Sequence, residues 1–208
     1  MVRDLAGKLR LWVAHLDRSA PPRQIPNVEG HSPKFGPAGE IFFRAVEGST
    51  GFVYSVRPDG TQLRKAIPEP IIGLNAVSPD GNWLVTTSPI PGQPASATIA
   101  HPLRGGTPVF ISNREPRPKW SRDGRFLYLS IATAGGTALA NGNTYVFPLS
   151  PGRLFPDFPA GGLSEAEMAK WPGGYVIDIA DFEPGPSPDA YAFSRETTQR
   201  NLYRIPIP

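Results

Sequence analysis

Histidine and carboxylate side chains carry most of the metal binding and acid–base chemistry in proteins. The chain has three histidines, His15, His31 and His101, and no cysteine. A zinc site would require such side chains to converge on one ion at about 2.1 Å. His15 and His101 fall at equivalent positions of an internal repeat, so they should lie on separate structural units. We therefore expect no metal site and no cofactor.

Paired carboxylates are a second class of catalytic group. Glycoside hydrolysis needs two carboxyl groups roughly 5–10 Å apart in one cleft. Asp80 and Asp123 occupy the same position in two copies of one turn, which favours a structural role for both. Glu40, Glu47 and Glu183 have no partner that the sequence can assign. The carboxylates therefore predict no hydrolytic site.

Motifs of hydrolytic and nucleotide-dependent enzymes are also missing. The chain has no G-x-S-x-G, H-R-D, D-F-G or H-E-x-x-H motif and no P-loop. The nearest match is D-F-E at residues 181–183, in which glutamate replaces the glycine of D-F-G. We therefore expect that this chain is not an enzyme and that any catalytic domain lies in a longer parent protein.

The charge balance restricts the class of partner. The chain has 208 residues with 21 basic and 18 acidic side chains, a formal net charge of +3. This excess is mild, and the sequence shows no concentrated basic stripe of the kind found in nucleic-acid-binding proteins. We therefore expect no nucleic acid as a partner. No stretch approaches the ~18 apolar residues of a membrane span, and residues 1–17 lack the features of a signal peptide.

One turn sequence recurs along the chain. It reads NAVSPDGNWLVTTS at residues 75–88 and PKWSRDGRFLYLS at residues 118–130, with looser copies at 33–45 and 186–195. Glycine supplies a positive φ or a tight reversal without steric cost, and aspartate accepts bonds from nearby backbone N–H groups. The residues to which we assign these structural roles are Gly39, Asp80, Gly81, Asp123, Gly124 and Asp189.

Five strand centres share a regular spacing. The markers Trp12, Tyr54, Thr98, Tyr145 and Tyr203 lie 42, 44, 47 and 58 residues apart. A period of about 40–45 residues with four short strands per unit is typical of a propeller blade. A β-sandwich is less compatible, because sandwich strands do not usually repeat as four-stranded units. We therefore predict an all-β chain, a β-propeller of four-stranded antiparallel blades.

Apolar residues alternate along the second strand of each unit, as in Ile41 and Phe43. A period of two predicts one buried face, which would pack on the neighbouring blade. The repeat predicts a single domain over residues 1–208, with about three full and two partial blades. We expect an incomplete propeller whose open edges favour self-association. The predicted limits are 8–25 (partial), 31–68, 73–112, 116–160 and 176–206 (partial), with a helical insertion at 162–174.

The one helical signal lies at residues 164–171. Ser164 and Glu167 form an S-x-x-E capping box, and Leu163 and Met168 can pack together as a hydrophobic staple. Pro172 would end the helix. The segment could dock a partner, but a short helix that caps one end of the stacked sheets is the favoured interpretation.

The turn sequences carry a family resemblance. The residues SPDG at 78–81, SRDG at 121–124, SPD at 187–189 and the closing QRNLYRIPIP at 199–208 resemble the TolB-type, WD-repeat-like propellers of bacteria. The ending also resembles the C-terminal propellers of bacterial eukaryotic-like Ser/Thr protein kinases and related sensor proteins. The resemblance implies a module that binds proteins or ligands, often outside the cytoplasm, with catalysis elsewhere in the parent chain.

Geometry indicates where a propeller would bind its partner. The innermost strands and the loops between blades line one mouth of the central channel. Their cationic bias suits an acidic peptide or another anionic ligand, although ordinary solvated loop charge would give the same pattern. The channel-mouth residues are His31, Lys34, Asn75, Arg114, Arg117 and Lys119.

These observations favour a non-catalytic module that binds a protein or ligand, the sensor or scaffold part of a larger bacterial signalling or envelope protein. Two alternatives stay open at this stage. One is the accessory propeller of a prolyl-oligopeptidase-like hydrolase, and the other is a glycan-binding propeller.

Overall fold

A computed structural model describes residues 2–3, 6–133, 141–180, 182–185 and 189–193. Within these ranges the chain forms 17 strands and one helix of five residues. None of the described helical structure has the length and apolar character that would carry a chain across a bilayer. The all-β fold class predicted from the sequence is confirmed.

The strands form five antiparallel sheets, which we call the first to fifth blades in chain order. The first blade contains β1 (Val2–Arg3), β2 (Leu9–Val13) and β3 (Arg23–Glu29). The second contains β4 (His31–Phe35), β5 (Ile41–Glu47), β6 (Thr50–Val56) and β7 (Arg64–Lys65). The third contains β8 (Gly73–Val77), β9 (Trp83–Pro89), β10 (Ser96–Pro102) and β11 (Val109–Ser112). The fourth contains β12 (Arg117–Trp120), β13 (Phe126–Ala132), β14 (Gly142–Pro148) and β15 (Tyr175–Ile177). The fifth contains β16 (Phe182–Pro184) and β17 (Tyr191–Phe193).

Strands that follow one another in the chain are neighbours in each sheet, so every blade is a simple meander. The predicted strand markers fall on the third strand of each four-stranded blade and on the middle strand of the three-stranded first blade. Trp12, Tyr54, Thr98 and Tyr145 lie on β2, β6, β10 and β14. The fifth marker, Tyr203, lies outside the described residues.

Each pair of neighbouring blades encloses its own apolar cluster, which is the packing expected of a propeller. Full burial of one such side chain contributes about 2 kcal/mol through the hydrophobic effect, so a blade is stable only when its neighbours cover it. Representative residues, from the first interface to the fourth, are Leu11 with Phe43, Phe42 with Leu84, Val85 with Leu129, and Tyr128 with Phe182.

The second strands differ from the prediction of one buried face. Phe42 packs toward the third blade while Phe43 packs toward the first, and both are almost fully buried. The same holds on β13, where Tyr128 and Leu129 contact opposite neighbouring blades. A second strand is buried on both faces because each interior blade lies between two others. In β17, at the fifth blade, all three residues are exposed instead.

The predicted limits of the first, fourth and fifth blades differ from the structure. The first blade runs from Val2 to Glu29, because pairing continues beyond residue 25 to join Arg10 with Glu29. The fourth blade does not close near Phe158, which lies in no strand. Its fourth strand is β15, paired with β14, so the segment predicted to open the last blade belongs to the fourth.

The insertion therefore lies inside the fourth blade, between β14 and β15. It contains helix α1 (Glu165–Ala169), whose capping box joins Ser164 and Glu167 as predicted. The insertion packs on the outer strand of the third blade. The Leu163 N–H donates to the Ile111 carbonyl at 2.8 Å, and the Ser112 hydroxyl donates to the Leu163 carbonyl at 2.6 Å. The insertion thus covers an otherwise open sheet edge.

The repeated turn has the same hydrogen bonds in the third and fourth blades. In the third, Asp80 Oδ1 accepts from the Asn82 N–H at 3.0 Å and from the Ser78 hydroxyl at 2.5 Å. Asp123 makes the matching bonds in the fourth blade. Gly81 has a φ of +69°, which a side chain would strain. Gly39 and Gly124 share this left-handed conformation, and Asp189 lies in a turn ahead of β17.

Candidate binding channel

The first strands of four blades surround one cavity. In the second to fifth blades, β4, β8, β12 and β16 are edge strands, and residues of all four line the cavity. Its volume is about 860 Å³. In a propeller this is the position of the central channel, since the first strand of each blade lies nearest the axis.

One level of the channel is defined by the repeat itself. Just after each of these first strands, a backbone N–H donates across the turn to a carbonyl at the start of the second strand or immediately before it. The residue two positions earlier therefore occupies the same level in every blade. The four residues at this level, all of which line the channel, are Lys34, Ala76, Lys119 and Glu183.

Lys119 is engaged within the channel wall. Its ammonium group donates to Glu183 Oε1 at 2.6 Å and to the Phe182 carbonyl at 2.5 Å. The pair joins the inner strands of the fourth and fifth blades. Lys119 is therefore less available to a ligand than its position in the sequence suggested.

Three further cations line the channel without such a partner. Lys34, Arg117 and Arg122 are exposed, and none of them forms an ion pair within the described part of the chain. Glu183, the one carboxylate in the described lining, is already held by Lys119. The channel therefore carries an excess of positive charge, which would attract anions.

Apolar side chains lie beside these cations. Phe35 at the end of β4 is 68% exposed, and Ile72 before β8 is 52% exposed. Both line the same cavity. Large exposed apolar groups next to unpaired charges are typical of surfaces that bind a partner.

His31 is held by two hydrogen bonds at the channel wall. Arg44 Nη1 donates to His31 Nε2 at 2.7 Å, because a guanidinium can only donate. The other ring nitrogen, Nδ1, therefore carries the proton and donates to the Ser32 hydroxyl at 2.9 Å. Burial and the positive charge of Arg44 both lower the pKa of His31, so the imidazole is neutral at pH 7.

Five of the six residues predicted at the channel mouth line the cavity, namely His31, Lys34, Asn75, Arg117 and Lys119. Arg114 does not. Its side chain pairs with Glu165 of α1 at 2.8 Å, and its carbonyl accepts from the Thr98 hydroxyl. The loop between β11 and β12 starts at the outer edge of the third blade, so its first residues lie near the insertion.

The sequence prediction missed Arg122, Glu183 and Phe35. Arg122 belongs to the turn after β12, and its position could be inferred only once the turn was known to face the channel. Glu183 stands at the repeat position of Lys119, but the short fifth blade obscured that equivalence. Asn75 lines the cavity, and its side chain also bonds to Thr87.

The described residues offer no cluster of three His, Cys, Asp or Glu side chains that could hold a metal ion. His101 is buried in the third blade, with Nε2 at 3.4 Å from the Ser88 hydroxyl. Burial lowers the pKa of His101, although the nearby Glu69 carboxylate opposes this. His15 is exposed in the loop after β2.

Solved structures share this architecture. TolB from Acinetobacter baumannii matches with a TM-score of 0.50 and 17% sequence identity, over 73% of this chain and 39% of that chain. A protein assigned as TolB from Agrobacterium tumefaciens matches with a TM-score of 0.54 and 14% identity, over 87% of this chain and 63% of that chain. The fold and the channel define a β-propeller. Its fold is similar to that of the two TolB structures.

These likenesses concern the fold. The chain spans between about two fifths and two thirds of the length of the TolB structures that it matches. No protein-family model matches the chain, and no curated protein sequence does.

Proposed function

We propose that this chain is a non-catalytic binding module whose central channel receives an acidic segment of a partner protein. The observation that carries the proposal is the set of three channel cations, Lys34, Arg117 and Arg122, that have no carboxylate partner in the described structure. Carboxylates of a bound peptide would supply the missing partners through charge-assisted hydrogen bonds.

The shape and the apolar residues of the channel support a peptide rather than a single small anion. A cavity of about 860 Å³ has room for several side chains. Phe35 and Ile72 would contact apolar groups of the same segment. Burial of these side chains would add affinity, while the surrounding charge would select acidic sequences and speed association.

The parent protein is the second part of the proposal. The chain covers 39% and 63% of the two TolB structures. Its closing sequence, at residues 199–208, resembles that of sensor propellers of bacterial signalling proteins. We therefore propose that it serves as the sensor or scaffold region of a larger signalling or envelope protein. Co-purification of the native protein with its partner would identify that context.

Charge reversal in the channel tests the binding proposal. The probe is a decapeptide of alternating aspartate and leucine with a tetramethylrhodamine label, and the measurement is fluorescence anisotropy. Lys34→Glu and Arg117→Glu should each weaken binding roughly tenfold or more, since a hydrogen bond between charged groups contributes about 1.5–3 kcal/mol. These positions are preferred to Lys119, because reversal there would also break its pair with Glu183.

Arg104→Glu is the matched control, since Arg104 is an exposed cation in the turn after β10, away from the channel lining. It changes the net charge equally and should leave the affinity within about twofold. Equal weakening by Arg104→Glu and Arg117→Glu would show that only net charge matters, and the channel would then be excluded as the site.

A further inference from the structure

His31 and Arg44 form a polar pair directly behind the channel wall. Arg44 lies on β5 and His31 on β4, opposite each other in the sheet register. The Arg44 side chain is partly buried, and its Nε has no hydrogen-bond acceptor among the described residues. No carboxylate pairs with Arg44 in that part of the chain. Its guanidinium donates instead to the neutral imidazole of His31.

The backbone holds both members of this pair in place. A Cβ on Gly51 would lie 2.6 Å from Arg44 Nε and Nη2, so the guanidinium lies against the bare backbone of β6. On β4, the register shifts between His31 and Lys34, and Ser32 adopts a φ of +55°. This irregularity lets the Ser32 hydroxyl meet His31 Nδ1.

We propose that protonation of His31 controls the charge of the channel. The protonated ring releases Arg44 and adds a cation to the anion site. This inference rests on the proposed function, because the ligand of the channel must be anionic. Protonation removes the lone pair that accepts from Arg44, and it places two cations 2.7 Å apart. The imidazolium would therefore turn away from Arg44 toward the channel that it already lines.

The charged groups around His31 fit this direction. His31 shares the lining of the channel with Lys34 on its own strand, Arg117 and Lys119 on β12, Arg122 in the turn after β12, and Glu183 on β16. On the opposite side a second cavity also contains His31, together with Lys8 and Glu29, which pair with each other at 3.0 Å. The carboxylates of Glu29 and Glu183 are thus already paired with lysines. The free acceptor for an imidazolium would be an anion bound in the channel.

Linkage fixes the sign of the effect. A bound anion favours the charged form of His31, so the anion must bind more tightly as His31 becomes protonated. Because the free protein holds this imidazole neutral at pH 7, the gain appears below that pH. One added charge at the site should strengthen binding roughly three- to tenfold.

The test measures affinity of the labelled aspartate–leucine decapeptide at pH 8.0, 7.0, 6.0 and 5.5. Aspartate side chains stay ionised over this range. The wild-type protein should bind three- to tenfold more tightly at pH 5.5 than at pH 8.0. His31→Gln should bind with the same affinity throughout, since glutamine can accept from Arg44 but does not titrate.

A second readout follows the proton on His31 without any ligand. NMR of the histidine C–H groups, with signals assigned through His15→Gln, His31→Gln and His101→Gln, should give His31 a pKa below its ordinary value. Arg44→Met should raise that pKa, because the variant removes both the positive charge and the hydrogen bond that favour the neutral ring. Circular dichroism would confirm that each variant is folded.

The outcomes separate this inference from the proposed function. Equal affinity at pH 8.0 and 5.5, or an acid gain that persists in His31→Gln, overturns the inference while the binding site stands. An unchanged His31 pKa in Arg44→Met also overturns it. Absence of binding at every pH overturns both the proposed function and the inference that depends on it.

Discussion

At the scale of single residues, the repeated aspartates are held as anions by their own turns. Hydrogen bonds from the Ser121 hydroxyl, and then from the backbone and side chain of Arg125, lower the pKa of Asp123 to about 2. For Asp80, burial raises the pKa, but bonds from Ser78 and Asn82 outweigh it and the net shift is downward. Each carboxylate therefore stabilises the folded state only while it is ionised.

The acid dependence of stability follows from this lowered pKa. Asp123 is lower in pKa in the folded chain than the ordinary 3.8, so its contribution is present above about pH 4 and is lost as the pH falls toward about 2. Asp123→Asn should therefore lower the free energy of unfolding at pH 7, and the difference from wild type should shrink between pH 4 and pH 2. Urea unfolding across this range measures both.

Asp178→Asn provides the control, since Asp178 is an exposed carboxylate in the loop after β15. Its substitution should change the free energy of unfolding by less than about 0.5 kcal/mol. A difference for Asp123→Asn that stays constant down to pH 2 would contradict the role assigned to the turn.

Residue-level features were predictable where the chemistry is local. The Asp–Gly turns were visible because glycine and aspartate act on backbone within a few residues. The contact between His31 and Arg44 was not, because it depends on an irregular register between β4 and β5. The pairing of Arg114 with α1 was missed for a similar reason, since it joins segments 51 residues apart in the chain.

At the scale of elements, the insertion between β14 and β15 packs against both the third and the fourth blade. Met168 and Leu163 are buried in the cluster that these two blades share. Trp120 Nε1 also donates to the Leu154 carbonyl at 2.8 Å, which ties the segment that precedes the insertion to β12. The insertion is therefore part of the core between these two blades.

Met168→Ala tests this structural role. Met168 is 2% exposed, and its truncation should lower the free energy of unfolding by about 3 kcal/mol through lost burial and the cavity that remains. Lys170→Ala, at an exposed position two residues along, should change it by less than about 0.5 kcal/mol. Equal effects of the two substitutions in urea unfolding would mean that the helix is not packed on the sheets.

The elements themselves were partly predictable. The capping box marked α1 because its residues lie within four positions of each other. The fourth blade was closed too early because Phe158 fits the spacing of an outer strand, although it packs instead against Phe147 and Trp171. Alternating apolar residues revealed strands but not that both faces are buried, since burial depends on how many blades flank each one.

At the scale of the whole molecule, the stacking of blades creates both the core and the channel. Each interface buries one face of two sheets, and the inner edges of four sheets are left around a common cavity. The sequence period predicted this arrangement because it repeats over the whole blade. The charge of the channel was predictable only in part, because pairs such as Lys119 with Glu183 form between blades.

The central claim is that the channel, rather than the outer surface, binds the acidic partner. Amide hydrogen exchange of the protein with and without the aspartate–leucine decapeptide tests it most directly, because the readout maps binding to segments. We predict added protection in β4, β8, β12 and the turn that contains Arg122, with no change in β7, β11 or α1. Protection confined to the outer strands or to the insertion would contradict the claim.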